Sequence, residues 1–285
     1  VGSAGSQKAE RGVDNLMKWR QQHIHREHRL EEFRDLTLID RQFYEEGVTL
    51  LAGVDEAGRG PLAGPVTAAA VVFPPGCFVP GINDSKKLTP QRRERLYEEI
   101  LVRTLAVGVG WADPAEIDEL NILEASKLAM VRALSRLSVK PEMTLIDAVK
   151  LDTCAHEQRS LIKGDARSHA IAAASIVAKV ERDRLMLRYE EEYPGYGFAR
   201  HKGYPTRQHY EAIERLGLTS IHRRSFVSND LFLTSVRRST TFERLCEEIR
   251  AKRLVWTDAV ARQWERLLPR VELAELSAFA HALRG

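Results

Sequence analysis

The segment that most constrains this fold is SHAIAAASIVAKVERDRLMLRYEEEY, beginning at Ser168. Read as a helix, it is apolar on nearly every face through Ala178 and then becomes charged. A surface helix shows one apolar stripe, so this one must be buried in its first half. It therefore needs several other elements around it. Two apolar runs, Leu50–Val54 and Val66–Phe73, flank a turn rich in glycine and proline and read as strands, as does TLAVGVGW at 104–111. The apolar run MTLID at 143–147 predicts another strand, and a further one is expected near Ser160–Lys163. Thr89 with Pro90 marks a helix start, and a long helix follows Asn121. Early strand pairs followed by alternating helices and strands predict an α/β fold, a mixed sheet flanked by helices.

Both ends of the chain differ in character. Residues 8–47 are rich in charge and helix formers, with Leu16, Trp19 and His23, then Leu30 and Phe33, at helical spacing up to a stop at Gly47. Residues 239–285 again read as amphipathic helices, carrying Leu245, Trp256, Trp264 and Leu267. The expected division is a helical extension over 1–47, a catalytic domain over 48–231 and a second helical extension over 232–285.

With 44% hydrophobic and 29% charged residues among 285, the chain has enough apolar material for a core, which excludes global disorder. Its longest apolar stretches fall far short of the roughly 20 residues that span a bilayer. No secretory signal is visible at the N-terminus. Cys77, Cys154 and Cys246 are scattered without a CxxC pair, so they read as free thiols of a reducing, cytoplasmic compartment. The net charge of +3 carries little by itself. His23, His25 and His28 share a helix, but no carboxylate or cysteine joins them at metal-ligand spacing. Neither GxSxG nor GxxxxGK[ST] occurs, and the glycines after residue 57 do not fit GxGxxG.

Four acids stand where chemistry is commonly built. Asp55 and Glu56 end the first apolar strand, Asp147 ends MTLID, and Asp165 lies in KGDARSH just before the buried helix. An acid delivered by a buried strand lies near low dielectric and needs a partner, and for clustered acids a divalent cation is the commonest one. Singly, each also fits a turn or a helix cap. Together at one sheet edge they would form an oxygen-lined pocket for Mg²⁺ or Mn²⁺. Gly58-Arg59-Gly60 permits close backbone approach to a ligand. The stretch 200–226 gathers Arg200, Lys202, Arg207, Arg215, Arg223 and Arg224 with Tyr204, Tyr210 and Phe226 interleaved, a composition suited to phosphate contacts and stacking. A solvated helix face with core aromatics would read the same way.

Taken in order, GVDEAGRGPLAGPVTAAAVV, NDSKKLTPQRRERL, LIDAVKL, IKGDARSHAIAAASIVAKVERD, HKGYPTRQHYEAI and HRRSF closely resemble bacterial ribonuclease HII over about residues 48–227. The resemblance implies a ribonuclease H-like fold and an endonuclease acting on the RNA strand of RNA–DNA hybrids and on single ribonucleotides embedded in duplex DNA. It implies two divalent ions, Mn²⁺ or Mg²⁺, on Asp55, Glu56, Asp147 and Asp165. It places ribose recognition on Gly58, Arg59 and Gly60 and sugar stacking on Tyr204, with Lys202 beside it in the same motif. Cleavage 5′ of the ribonucleotide, leaving 5′-phosphate and 3′-hydroxyl ends, is the implied outcome. A monomer is expected. Ribonuclease HIII resembles the chain less, because its loop reads glycine-threonine-glycine where this one has Arg59. Resolvase- and transposase-like nucleases lack KGYPT and DSKKL, and a non-catalytic binder would not need all four acids.

Overall fold

A computed structural model describes residues 27, 30–153 and 157–227. The helices expected before residue 30 and over 239–285, the three histidines at 23, 25 and 28, and Cys154 and Cys246 lie outside the described residues. Cys77 is a free thiol. No described helix is long and apolar enough to cross a membrane.

The described residues divide into two compact units, one running to Arg59 and resuming over Pro65–Leu185, the other formed by Gly60–Gly64 and the residues from Met186 onward. The first unit holds a five-stranded sheet in the order β3-β2-β1-β4-β5. Its strands are β1 (Leu51–Ala57), β2 (Val66–Val72), β3 (Ala106–Ala112), β4 (Met143–Asp147) and β5 (Glu157–Leu161). β1, β2 and β3 pair antiparallel, while β4 runs parallel to both β1 and β5, so the sheet is mixed as expected. Around it lie α1 (residues 30–45), α2 (Pro90–Arg103), α3 (Pro114–Leu120), α4 (Ile122–Ser135) and α5 (His169–Glu192).

Local signals explain the helix starts. Thr89 accepts from the Arg92 amide with Pro90 behind it, and Asn121 accepts from the amides of Leu123 and Glu124. Asp113 and Glu116 form a reciprocal capping box that starts α3, a helix the sequence reading passed over. β5 begins three residues before its expected position. Its sequence, EQRSL, carries no alternating apolar pattern and is mostly exposed, so backbone pairing to β4 alone defines it.

α5 is buried from Ala170 to Ala178, as its composition demands. Its approach to β1 is close enough that a Cβ on Gly53 would stand 2.0 Å from the Ala170 carbonyl carbon, so no larger residue fits there. Ser168 caps the helix through the Ile171 amide, but a second cap comes from far away. Asp40 on α1, 1% exposed, accepts from the Ser168 hydroxyl and from the amides of His169 and Ala170. Leu36 joins the cluster of β2, α2 and α5, and Phe43 packs with Leu51, Leu145 and Ile171. α1 is thus part of this unit's core.

The second unit is built on α6 (Phe198–His201) and α7 (Arg207–Leu216) with the end of α5. Leu62 and Ala63 pack there with Met186, Tyr196, Phe198, Ile213 and Ile221.

Candidate active site

Three of the four acids stand on the carboxyl ends of adjacent parallel strands. Val54 pairs with Ile146, so Asp55 and Asp147 follow one residue later on neighbouring strands, with Glu56 next to Asp55. Asp165 enters from the turn Gly164–Ala166, which is tied to the same place because the Gly164 amide donates to Asp147 Oδ1 at 2.6 Å. Asp165 therefore sits in a separate short turn, while the cap of α5 is supplied by Ser168 and Asp40.

Electrostatics show these groups acting on one another. Burial pushes Asp55 well above the usual carboxylate range, and the charges of Glu56 and Asp147 push it further. Opposing this, Asp55 Oδ1 accepts from the Glu56 amide at 2.7 Å, and the Ser175 hydroxyl also lowers it. Burial also raises Glu56; Arg59 pulls it back, donating to Glu56 Oε1 at 3.3 Å, and Asp147 raises it. Asp147 is raised by burial and by Asp165 and lowered by the Gly164 amide, Lys86 and Arg59. Like charges at close range, drawn out of water, disfavour full ionisation. Among the described residues no group of three His, Cys, Asp or Glu side chains is already arranged to hold a metal ion. The donor chemistry nevertheless fits one, because every ligand offered is an oxygen and the cluster carries negative charge that Arg59 and Lys86 offset only in part. Hard divalent cations take such ligands.

Behind the acids lies a layer the sequence reading missed. Ser175, on the buried face of α5, stands 3.0 Å from Ser85 Oγ. Either hydroxyl of this pair can be the donor. Both hydroxyls are buried. The Ser85 carbonyl in turn accepts two bonds from the Arg93 guanidinium. Small polar residues in an apolar helix were the available signal.

The glycine-arginine-glycine loop has an unexpected support. Gly58 has φ of +91°, and a Cβ there would lie 2.0 Å from Arg182 Nε, a fully buried guanidinium that donates to the Pro65 carbonyl at 3.0 Å. The need for glycine at this position comes from within the protein: a left-handed backbone with an arginine packed beneath it. Gly60 is different. A Cβ there would have only Tyr204 Cε1 within reach, at 3.9 Å. Tyr204, 40% exposed, belongs with Gly60 to the second unit, as does Lys202. Lys202 adopts φ of +53° at the end of α6, and its Nζ donates to the Ala199 carbonyl. Arg223, which the sequence placed in a basic stretch, is fully buried and donates through Nε to the Gly64 carbonyl at 2.9 Å.

Residues 52–229 match the family model described as Ribonuclease HII. A ribonuclease HII from Acetivibrio thermocellus is 48% identical over 225 residues, which is 78% of this chain and 88% of that protein. Another from Bacillus thuringiensis is 50% identical over 217 residues, or 76% and 84% of the two chains. Among solved structures, the ribonuclease H2 from Pyrococcus horikoshii matches with a TM-score of 0.53 at 30% identity, over 66% of this chain and 98% of that one. The sheet flanked by helices is thus the ribonuclease H-like fold the motifs implied. With strand-end carboxylates beside an arginine-bearing glycine loop, and with similarity over most of its length, this chain belongs to the ribonuclease HII family, a family of endoribonuclease hydrolases.

Proposed function

We propose that this protein cuts the RNA strand of RNA–DNA hybrids and, within duplex DNA, the bond 5′ of a single ribonucleotide, leaving 5′-phosphate and 3′-hydroxyl ends. The observation that carries this reading is the register that puts Asp55, Glu56 and Asp147 at the ends of adjacent parallel strands, with the Asp165 turn tied to Asp147 through the Gly164 amide. Side chains that repel one another at the end of a sheet are poised for cations and anionic substrate. Asp55, Glu56, Asp147 and Asp165 would hold two divalent ions, Mg²⁺ or Mn²⁺, whose chemistry is to acidify water and to stabilise a departing oxygen.

The chain's own residues supply the rest. Ser85 and Ser175 orient the Asp55 carboxylate from behind, and the Gly164 amide orients Asp147. The Gly58-Arg59-Gly60 backbone reads the ribose 2′-hydroxyl, the one group that separates RNA from DNA at a given position. For a cut on the 5′ side, that hydroxyl is not adjacent to the broken bond and is not the nucleophile. Arg182 fixes the loop for that reading, because its side chain fills the space beneath Gly58. Tyr204 presents its ring on an exposed loop for stacking on a sugar, and Lys202 adds positive charge toward the backbone phosphates.

The test is an end-labelled DNA duplex with one ribonucleotide, run beside a continuous RNA–DNA hybrid in Mg²⁺, Mn²⁺ or chelator. We expect metal-dependent cleavage of both, with the single-ribonucleotide product ending in a 3′-hydroxyl on the 5′ side of that residue. Asp147→Asn, which keeps an acceptor for the Gly164 amide, should lose at least about 100-fold in rate. Cleavage of the hybrid alone would overturn the single-ribonucleotide reading, and binding without cleavage would make the protein a nucleic-acid binder.

A further inference from the structure

The second unit buries three histidines together, none of which the proposed chemistry uses. His209 is fully buried, and His222 and His201 are nearly so. The rings of His201 and His209 stack with centroids 4.5 Å apart, and Phe198 packs edge-on against both. Buried imidazoles at this density require every nitrogen to have a defined role, because an unmatched polar atom away from water is costly.

The hydrogen bonds assign the protons. The Thr219 backbone N–H can only donate, and it lies 2.9 Å from His222 Nδ1. That nitrogen is therefore an acceptor, and the His222 proton sits on Nε2. His222 Nε2 is 3.1 Å from His209 Nε2, so it donates there and His209 Nε2 is bare. The His209 proton must then be on Nδ1, which donates to the Tyr204 carbonyl at 3.0 Å. By the same reasoning His201 accepts from the Gly203 N–H at Nδ1 and donates from Nε2 to the Tyr196 carbonyl at 2.8 Å. The relay thus has one direction: Thr219 to His222 to His209 to Tyr204. A second proton on either histidine of the pair would set two N–H groups against each other. Burial agrees with this arrangement, lowering His209 to about 4 and His222 to about 3.

The relay ends on Tyr204. Its carbonyl accepts a hydrogen bond from His209 Nδ1–H, and its own N–H donates to the His201 carbonyl at 2.9 Å. Both sides of the residue are thereby fixed to the buried cluster, while its ring remains 40% exposed beside Gly60. We infer that His209 and His222 are positioning residues that hold Tyr204 in the orientation needed to recognise a ribonucleotide–DNA junction. The inference rests on the proposed stacking role of Tyr204. An apolar pair would fill the same space, but the Tyr204 carbonyl would keep only the local Thr206 N–H, at 2.8 Å, and lose its tie to the buried cluster.

The experiment has two arms on the intact chain. Long-range ¹H–¹⁵N NMR reads the tautomers directly: His209 protonated on Nδ1 and His222 on Nε2 support the relay, and His209 protonated on Nε2 overturns it. In the second arm, the ratio of single-ribonucleotide to hybrid cleavage is measured with melting temperature. His209→Phe should lower the ratio by about tenfold, as Tyr204→Ala should, since base-stacking energies set that scale. His209→Asn, whose amide can donate from the Nδ1 position, should recover most of it. In the Tyr204→Ala background, His209→Phe should change the ratio no further. Equal loss on both substrates, or effects that multiply with Tyr204→Ala, would make the cluster structural and overturn the inference. If His209→Phe does not fold, His222→Leu is read by the same criteria. A Tyr204→Ala ratio equal to wild type would instead overturn the stacking role, whatever tautomers are found.

Discussion

Asp55→Asn should make the protein more stable while removing its cleavage activity. Asp55 is 5% exposed, and its neighbours Glu56 and Asp147 both raise it. Adjacent strands lie about 4.8 Å apart, which sets the scale for the Asp55–Asp147 separation. Two like charges about 5 Å apart repel by about 3 kcal/mol at an effective dielectric of about 20. Arg59 and Lys86 offset part of this. The amide keeps an acceptor for the Glu56 N–H and the Ser175 hydroxyl, so little else is lost. The net gain in metal-free protein should be about 1–3 kcal/mol, or roughly 3–8 °C in melting temperature for a unit of this size.

The pH dependence has a definite sign. The folded-state pKa of Asp55 is raised, so its ionisation lowers stability. That penalty is fully present above the folded pKa and fades as pH falls toward the unfolded value of about 3.9. The advantage of Asp55→Asn should therefore be largest near neutral pH and shrink in acid. Thermal melts in chelator across this range measure it, and added Mg²⁺ or Mn²⁺ should raise the wild-type melting temperature more than the variant's. A variant less stable than wild type in chelator at neutral pH would refute the reasoning, as would a gap that is constant with pH.

Asp40→Ala should lower the melting temperature by about 5–15 °C, because the His169 and Ala170 amides and the Ser168 hydroxyl lose a charged acceptor worth about 2–4 kcal/mol in total. Asp40→Asn should cost less, since burial raises this carboxyl to about 6 and the amide removes its charge; equal losses in the two variants would show that the charge itself is needed. Gly58→Ala should reduce cleavage at a single ribonucleotide by more than about tenfold, because the added Cβ meets Arg182 at a left-handed backbone angle costing about 1–2 kcal/mol before any clash. Wild-type activity there would mean that the loop and Arg182 are not packed as described.

Much of the first unit was legible in the chain itself. The apolar run at 143–147 is β4 residue for residue, Thr89 with Pro90 starts α2, and the alanine-rich segment is a buried helix. These features come from neighbours one to four residues apart, so local pattern carries them. The strand-end positions of Asp55 and Asp147 were legible for the same reason, while Asp165, in a short turn before α5, fitted a helix cap equally well. β5 and α3 were misplaced or passed over because one is a polar edge strand and the other a single short capped helix.

What only tertiary structure decided is where polar residues find their partners. Asp40 caps α5 across 130 residues, Ser85 reaches Ser175 across 90, and Arg182 reaches the Pro65 carbonyl across 117. In the sequence Arg223 belongs to a basic stretch suited to phosphate contacts, yet it is buried at 0% exposure, as is His209. Burial is a property of what packs over a residue, and hydrogen-bond direction depends on which atoms meet. Neither is encoded by a residue's immediate neighbours. Residue types and their spacing determined the apolar strands and the buried helix; the folded chain decided how the acids meet, which arginine supports Gly58, and which histidine faces Tyr204.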